Sequence, residues 1–126
     1  MLHMLHFIIE KFESSILTAV SLQRLFACMV LVLLKTESKK AQKMYRKGDD
    51  IYLDDQKLCI SVATQSVNSS LIHFAININN EDTPVKTISL RDLNIDGKQF
   101  AEKIMSEFCE EVQSILIATR KVKSPN

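Results

Sequence analysis

Glycine is nearly absent: Gly48 and Gly97 are the only two in 126 residues. Loops that cradle phosphate need several glycines so that the backbone can approach the anion, so neither a P-loop nor a dinucleotide fingerprint can be built here. Histidine is scarce too. His3, His6 and His73 are too few and too scattered for a recognisable zinc set, although His3 and His6 would share one face if their segment were helical. The three cysteines, Cys28, Cys59 and Cys109, are odd in number, widely spaced and set among apolar neighbours. That pattern argues against a disulfide framework and for small buried thiols in a reducing compartment, so a cytoplasmic location is expected. No partner that would make Cys59 a nucleophile can be read from the sequence. Charge of one sign is also lacking, with sixteen basic residues against fifteen acidic ones and a net charge of +1. No global field would hold the chain on nucleic acid or an anionic membrane, and any such partner must use a local patch. The N-terminus has no basic region leading into an apolar core and a small-residue cleavage site, which argues against export.

What is present is enough apolar material, 46% of residues, for one packed core, so residues 1–126 are expected to form a single domain. Ser14 or Ser15 supplies an N-cap for a helix running to about Lys35. Ser15 to Leu34 raises a membrane question, but Gln23 and Arg24 sit at its centre, and a central Arg costs about 2.5 kcal/mol or more in a bilayer. A buried core helix is the better reading. Between Lys35 and Lys47 six basic residues face a single Glu37, which suggests a frayed helix end or a solvated connector, with a phosphate or nucleic-acid contact as the sharper alternative. The segment before the helix, His6 to Phe12, is a short apolar opening.

Beyond Gly48 the period changes from helical to alternating, the signature of a sheet. Ile51 to Leu53 reads as a strand, Asp54-Asp55 as a turn, and Lys57 to Thr64 as a second strand with Leu58, Ile60 and Val62 on one face. A third strand, Leu71 to Asn79, alternates Ile72, Phe74, Ile76 and Ile78 with His73, Ala75, Asn77 and Asn79. The loop Asn80 to Pro84 then leads to Val85–Ile88 as a fourth. Asp96 followed by Gln99 resembles a capping box and opens a helix whose Phe100, Ile104, Phe108, Val112 and Ile115 form a core-facing stripe. Lys98-Glu102 and Lys103-Glu107 are expected i,i+4 pairs on its wet side. Arg120 to Asn126 reads as a disordered basic tail. The fold class is therefore α+β, an antiparallel or mixed sheet of about three to five strands backed by two main helices.

Alternation places Lys57, Ser61, His73 and Asn77 together on the less apolar strand face, where a lysine could meet a carboxylate or phosphate and an asparagine could orient a polar ligand. An ordinary solvated sheet face is the plainer explanation of the same four residues. Asp49-Asp50 could bind Mg²⁺ but as adjacent aspartates suit a turn. No metal ligands and no general acid and base pair stand out.

Gly48 to Cys59, reading Gly-Asp-Asp-Ile-Tyr-Leu-Asp-Asp-Gln-Lys-Leu-Cys, resembles an uncharacterised archaeal family known as domain of unknown function 366. So do Ser70 to Asn79, Thr83 to Thr87, the opening from Met4 to Glu10 and the pair Gln23-Arg24. The similarity runs from Met4 to Val122. It implies the mixed sheet backed by helices shared by biotin and lipoate ligases and class II aminoacyl-tRNA synthetases. Asp50-Ile51 and Lys57-Leu58-Cys59 look like the ligase arrangement in which a lysine contacts an acyl-adenylate, so the resemblance makes Lys57 the foremost candidate. Ala75-Ile76-Asn77-Ile78-Asn79 resembles the ligases' Gly-Ile-Asn strand. Ile60 and Ala75 stand where the ligases have glycine, and their glycine-arginine-rich biotin loop has no counterpart, so enzymatic activity stays open. Members of the family carry a further N-terminal region, and the chain is expected to match their later part. The resemblance thus implies a small-molecule ligand, with ATP or another nucleotide as the cofactor class. The competing expectation is a non-catalytic interaction module that forms a homo-oligomer or docks on another chain through Leu25 to Leu34 or an unpaired sheet edge.

Overall fold

The apolar opening is a strand. In the computed structural model, which describes residues 3–80 and 86–122, β1 (Met4–Phe12) is nine residues of extended chain. Its odd residues Leu5, Phe7 and Ile9 turn toward the core and leave His6, Ile8 and Glu10 outside. His3 and His6 therefore share no helical face. The helix α1 (Ile16–Glu37) begins where the Ser15 side chain accepts a hydrogen bond from the Thr18 amide, the expected cap. Ala19, Leu22, Gln23, Phe26, Ala27, Val30, Leu33 and Leu34 are its buried side, recurring at three- and four-residue steps. Its length and composition would let it cross a membrane, but that buried stripe packs on the strands and on the second helix.

The basic segment after α1 is more ordered than its composition suggests. A single 3-10 turn, Lys39–Ala41, leads to the short strand β2 (Tyr45–Lys47). The reason is two anchors: Ala41 and Met44 are buried, and the buried Ser38 hydroxyl donates to the Leu93 carbonyl at 2.8 Å. Gly48, at φ +66°, makes the reversal into β3 (Asp50–Leu53), and Asp54, at φ 54°, makes the next into β4 (Gln56–Lys57). These three form one antiparallel sheet in the order β2-β3-β4.

The chain then changes sheets. The expected continuous strand from Lys57 to Thr64 is interrupted at Leu58, which is fully buried, and resumes as β5 (Cys59–Gln65) in a second antiparallel sheet of order β1-β6-β5. The third member, β6 (Ser69–Asn77), lies at its centre, with Leu5 opposite Ile76 on one side and Cys59 opposite Ile76 on the other. The expected fourth strand is reduced, among described residues, to one parallel bridge of Thr87 with Lys57. Val85 and most of the loop before it lie outside the described residues.

The final helix, α2 (Gly97–Arg120), starts at Asp96, whose carboxylate accepts from the Gln99 amide at 2.9 Å. Its stripe is buried through Phe108 and half-buried at Val112, but Ile115 is already 38% exposed, so the last two turns project beyond the core. Lys103 reaches Glu37 of α1 at 2.8 Å and so ties the two helices together, rather than serving only its own helix face. Arg120 closes the helix, and residues 123–126 of the expected tail lie outside the described residues. At the centre Phe26 meets Phe7 of β1, Phe74 of β6 and Phe108 of α2 with ring centroids 5.2, 4.9 and 5.0 Å away, so one ring joins sheet and helices.

Candidate functional site

The junction between the two sheets holds the foremost candidate. Lys57 ends β4 opposite Tyr52, and its ammonium lies 3.0 Å from the Asp50 carboxylate on the neighbouring strand. That hydrogen bond keeps the Lys57 proton above the usual ammonium value, against partial burial, which pulls the other way. The backbone of Lys57 is fixed as firmly: its amide donates to the Lys86 carbonyl at 3.2 Å, and its carbonyl accepts from the Ile88 amide at 3.1 Å.

Asn77 is brought to the same place but spends its amide group internally. Its Nδ2 donates to the carbonyls of Lys57 at 3.2 Å and Ile88 at 3.1 Å, and the residue is 4% exposed. It holds the junction together instead of offering both donors to a ligand. Nearby polar demand is incompletely met: among the described residues, the buried Asn79 Oδ1 and Thr87 Oγ1 have no hydrogen-bond partner.

The other two candidates are not on a common face with each other. Ser61 stands opposite the buried Phe74, hence on the helix side of the sheet; His73 stands opposite Val62, which is 60% exposed, hence on the open side. The expected oily and polar faces of β5 are thus reversed, because pairing Cys59 with Ile76 commits Cys59, Ser61 and Ala63 to the core and sends Ile60 and Val62 outward. Alternation tells which residues share a face but not which face is covered.

Each has a partner that the sequence did not supply. The Ser61 hydroxyl donates to Asp49 at 2.6 Å, while Gln23 Nε2 donates to Ser61 at 2.8 Å and to Asp49 at 3.2 Å. Arg24, the next residue of α1, places its guanidinium beside Gly48, and Arg46 donates to the Gly48 carbonyl at 2.6 Å. Gln23 and Arg24 thus converge on the Gly48-Asp49-Asp50 reversal, and Asp49 serves as its internal anchor. The legible signal was a polar pair in the middle of an apolar helix. His73 hydrogen-bonds His6 of β1 at 2.9 Å, with ring centroids 5.1 Å apart. Cys59 is 1% exposed, and burial pushes its thiol up to about 12, which removes it as a nucleophile at neutral pH. No group of three metal-binding side chains occurs among the described residues.

A three-stranded antiparallel sheet backed by helices, with a second small three-stranded sheet feeding its edge strand, defines an α+β domain of the biotin-ligase type. A biotin protein ligase of Aquifex aeolicus matches over 88% of this chain and 53% of its own, with a TM-score of 0.71 at 15% identity. The form of that enzyme in complex with biotin and ATP gives 0.68 at 16% identity, over 87% and 50% of the two chains. These likenesses establish the fold. Residues 2–123 match the domain of unknown function DUF366, and the chain belongs to that family. A solved protein of unknown function from Pyrococcus horikoshi is 35% identical with a TM-score of 0.86, covering 98% of this chain and 65% of that one. An uncharacterised protein of Methanocaldococcus jannaschii is 31% identical over 120 residues, 93% of this chain and 53% of its own length. The chain thus spans about half the length of that curated relative.

Proposed function

We propose that this chain is a cytoplasmic small-molecule-binding relative of the adenylate-forming ligases, with Lys57 as the cation that meets a carboxylate or phosphate of a nucleotide or acyl-adenylate. The observation that carries this reading is the Lys57 ammonium, 37% exposed and oriented by Asp50 at 3.0 Å, at the junction of the two sheets. An ammonium has three donors, and Asp50 uses one, so the others are free to serve an anion. Asn77 positions Lys57 through its carbonyl, and Ser61 holds the reversal before Asp50 through Asp49. Ile60, three residues along and 55% exposed, starts an apolar surface for the uncharged part of a ligand. That the comparable Aquifex fold is found with biotin and ATP supports the ligand class.

The test is calorimetric titration of the chain with ATP and with biotinyl-adenylate. Lys57→Ala should weaken binding at least tenfold and leave the melting temperature nearly unchanged. Equal affinity in the wild type and the variant, or no binding of either compound by the wild type, sinks the assignment.

A further inference from the structure

The ligand proposed at Lys57 makes no use of the basic segment after α1. Lys39, Lys40, Lys43, Arg46 and Lys47 are all exposed, and the backbone that carries them is pinned by the buried Ala41 and Met44. The acids that could neutralise them are engaged elsewhere. Glu37, the one acid of the segment, pairs with Lys103 of α2 at 2.8 Å, and Asp50, opposite Lys47, pairs with Lys57 at 3.0 Å. Among the described residues the side chains of Lys39, Lys40, Lys43 and Lys47 have no hydrogen-bond or ion-pair partner. Arg24 of α1, also exposed, brings a further guanidinium to the Gly48 turn.

An aromatic surface lies among these cations. Tyr45, between Lys43 and Lys47 in sequence, pairs with Tyr52, and the two rings stack with centroids 5.6 Å and planes 20° apart. The Tyr45 hydroxyl donates to the Asp54 carbonyl at 2.6 Å, which fixes the ring, yet the residue is 45% exposed. Residues two apart on a strand share a face, so Tyr45 and Lys47 stand on the same side of β2. A run of lysines kept only for solubility requires neither an anchored backbone nor a fixed ring in its midst. We infer that this surface binds single-stranded nucleic acid, a base stacking on the face of Tyr45 turned away from Tyr52 and the flanking phosphates meeting Lys43 and Lys47. Fixed aromatic faces beside cations are how unpaired strands are held without regard to sequence. With a net charge of +1 the chain has no long-range hold on a polyanion, so binding rests on this patch and weakens with salt. A duplex keeps its bases stacked on one another and offers Tyr45 no free face, so it binds more weakly.

The chain has two tyrosines, Tyr45 and Tyr52, and no tryptophan, so its intrinsic emission reads this surface directly. Titration of the intact chain with oligo(dT) and oligo(U) of about twelve nucleotides should quench that emission, both strands alike, since base and phosphate are common to both. Log affinity against log salt should fall with a slope of about −3, at roughly −0.7 for each of the four unpaired lysines, and Lys43→Gln with Lys47→Gln should flatten it by about 1.4. Tyr45→Ala should weaken binding about tenfold, whereas Tyr45→Phe, which keeps the ring, should bind as the wild type does. All three positions are exposed, so circular dichroism should report folded variants. No binding of either strand, a salt-independent affinity, binding that leaves the tyrosine emission unchanged, a duplex bound as tightly as the single strand, or full affinity in Tyr45→Ala overturns the inference. Lys57 is altered in none of these variants, so the ligand proposed there stands or falls separately.

Discussion

Lys57 and Asn77 are tied together through the backbone, because the Asn77 amide donates to the Lys57 carbonyl at 3.2 Å. The Asn77 amide is buried and committed to two carbonyls, so its loss leaves the Ile88 carbonyl without that donor and frees the strand beside Lys57. Unsatisfied buried carbonyls cost about 1–3 kcal/mol, so Asn77→Ala should lower stability by that amount in urea denaturation. A variant as stable as the wild type would show that these two hydrogen bonds contribute little to the junction. Lys57 stood out in the sequence because Asp50-Ile51 and Lys57-Leu58-Cys59 look like the ligase arrangement. Asn77 was legible as an important polar residue in an apolar strand, but its role was not, since its acceptors, the carbonyls of Lys57 and Ile88, come from segments 20 and 11 residues away.

At the scale of elements, α1 is held by an aromatic contact that spans three layers. Phe26 touches rings from β1, β6 and α2, so truncation removes transfer energy and opens a cavity that no single neighbour can fill. Phe26→Ala should therefore cost about 3–5 kcal/mol, read as a lowered denaturation midpoint with unchanged slope. A loss below about 1 kcal/mol would show that the core collapses around the site. Both helices were legible, because their caps and apolar stripes are local. β1 was not seen as a strand, since its partner, β6, lies more than 50 residues downstream. The break at Leu58 was hidden for the same reason: Lys57 follows β3, whereas Cys59 follows β6, and an alternating run looks continuous whichever partner each half takes.

Over the whole molecule, pH acts through burial and pairing. Below the ordinary thiol value of 9.0 neither the folded nor the unfolded Cys59 ionises, so stability owes nothing to it there. Above that value the unfolded thiol loses its proton first, while burial holds the folded one until about 12, so the unfolded state binds fewer protons and stability falls as pH rises. Lys57, Lys86 and Lys103, raised chiefly by hydrogen bonds to Asp50, Asp55 and Glu37, push in the same direction above their ordinary 10.5. Denaturation followed across alkaline pH should show this decline, and Cys59→Ala should make it shallower. An identical slope in the variant would place the titration elsewhere.

The sequence by itself determined the α+β class, the caps that start both helices, the turn at Asp54-Asp55 and the alternation of β6, because each follows from propensity, capping or periodicity within a few residues. Only the tertiary structure decided which face of β5 meets the helices, where the chain crosses between sheets, and how Gln23, Asp49 and Ser61 come together. Those depend on strand pairing between distant segments, and a pairing shifted by one residue would turn every side chain of β5 to the opposite face.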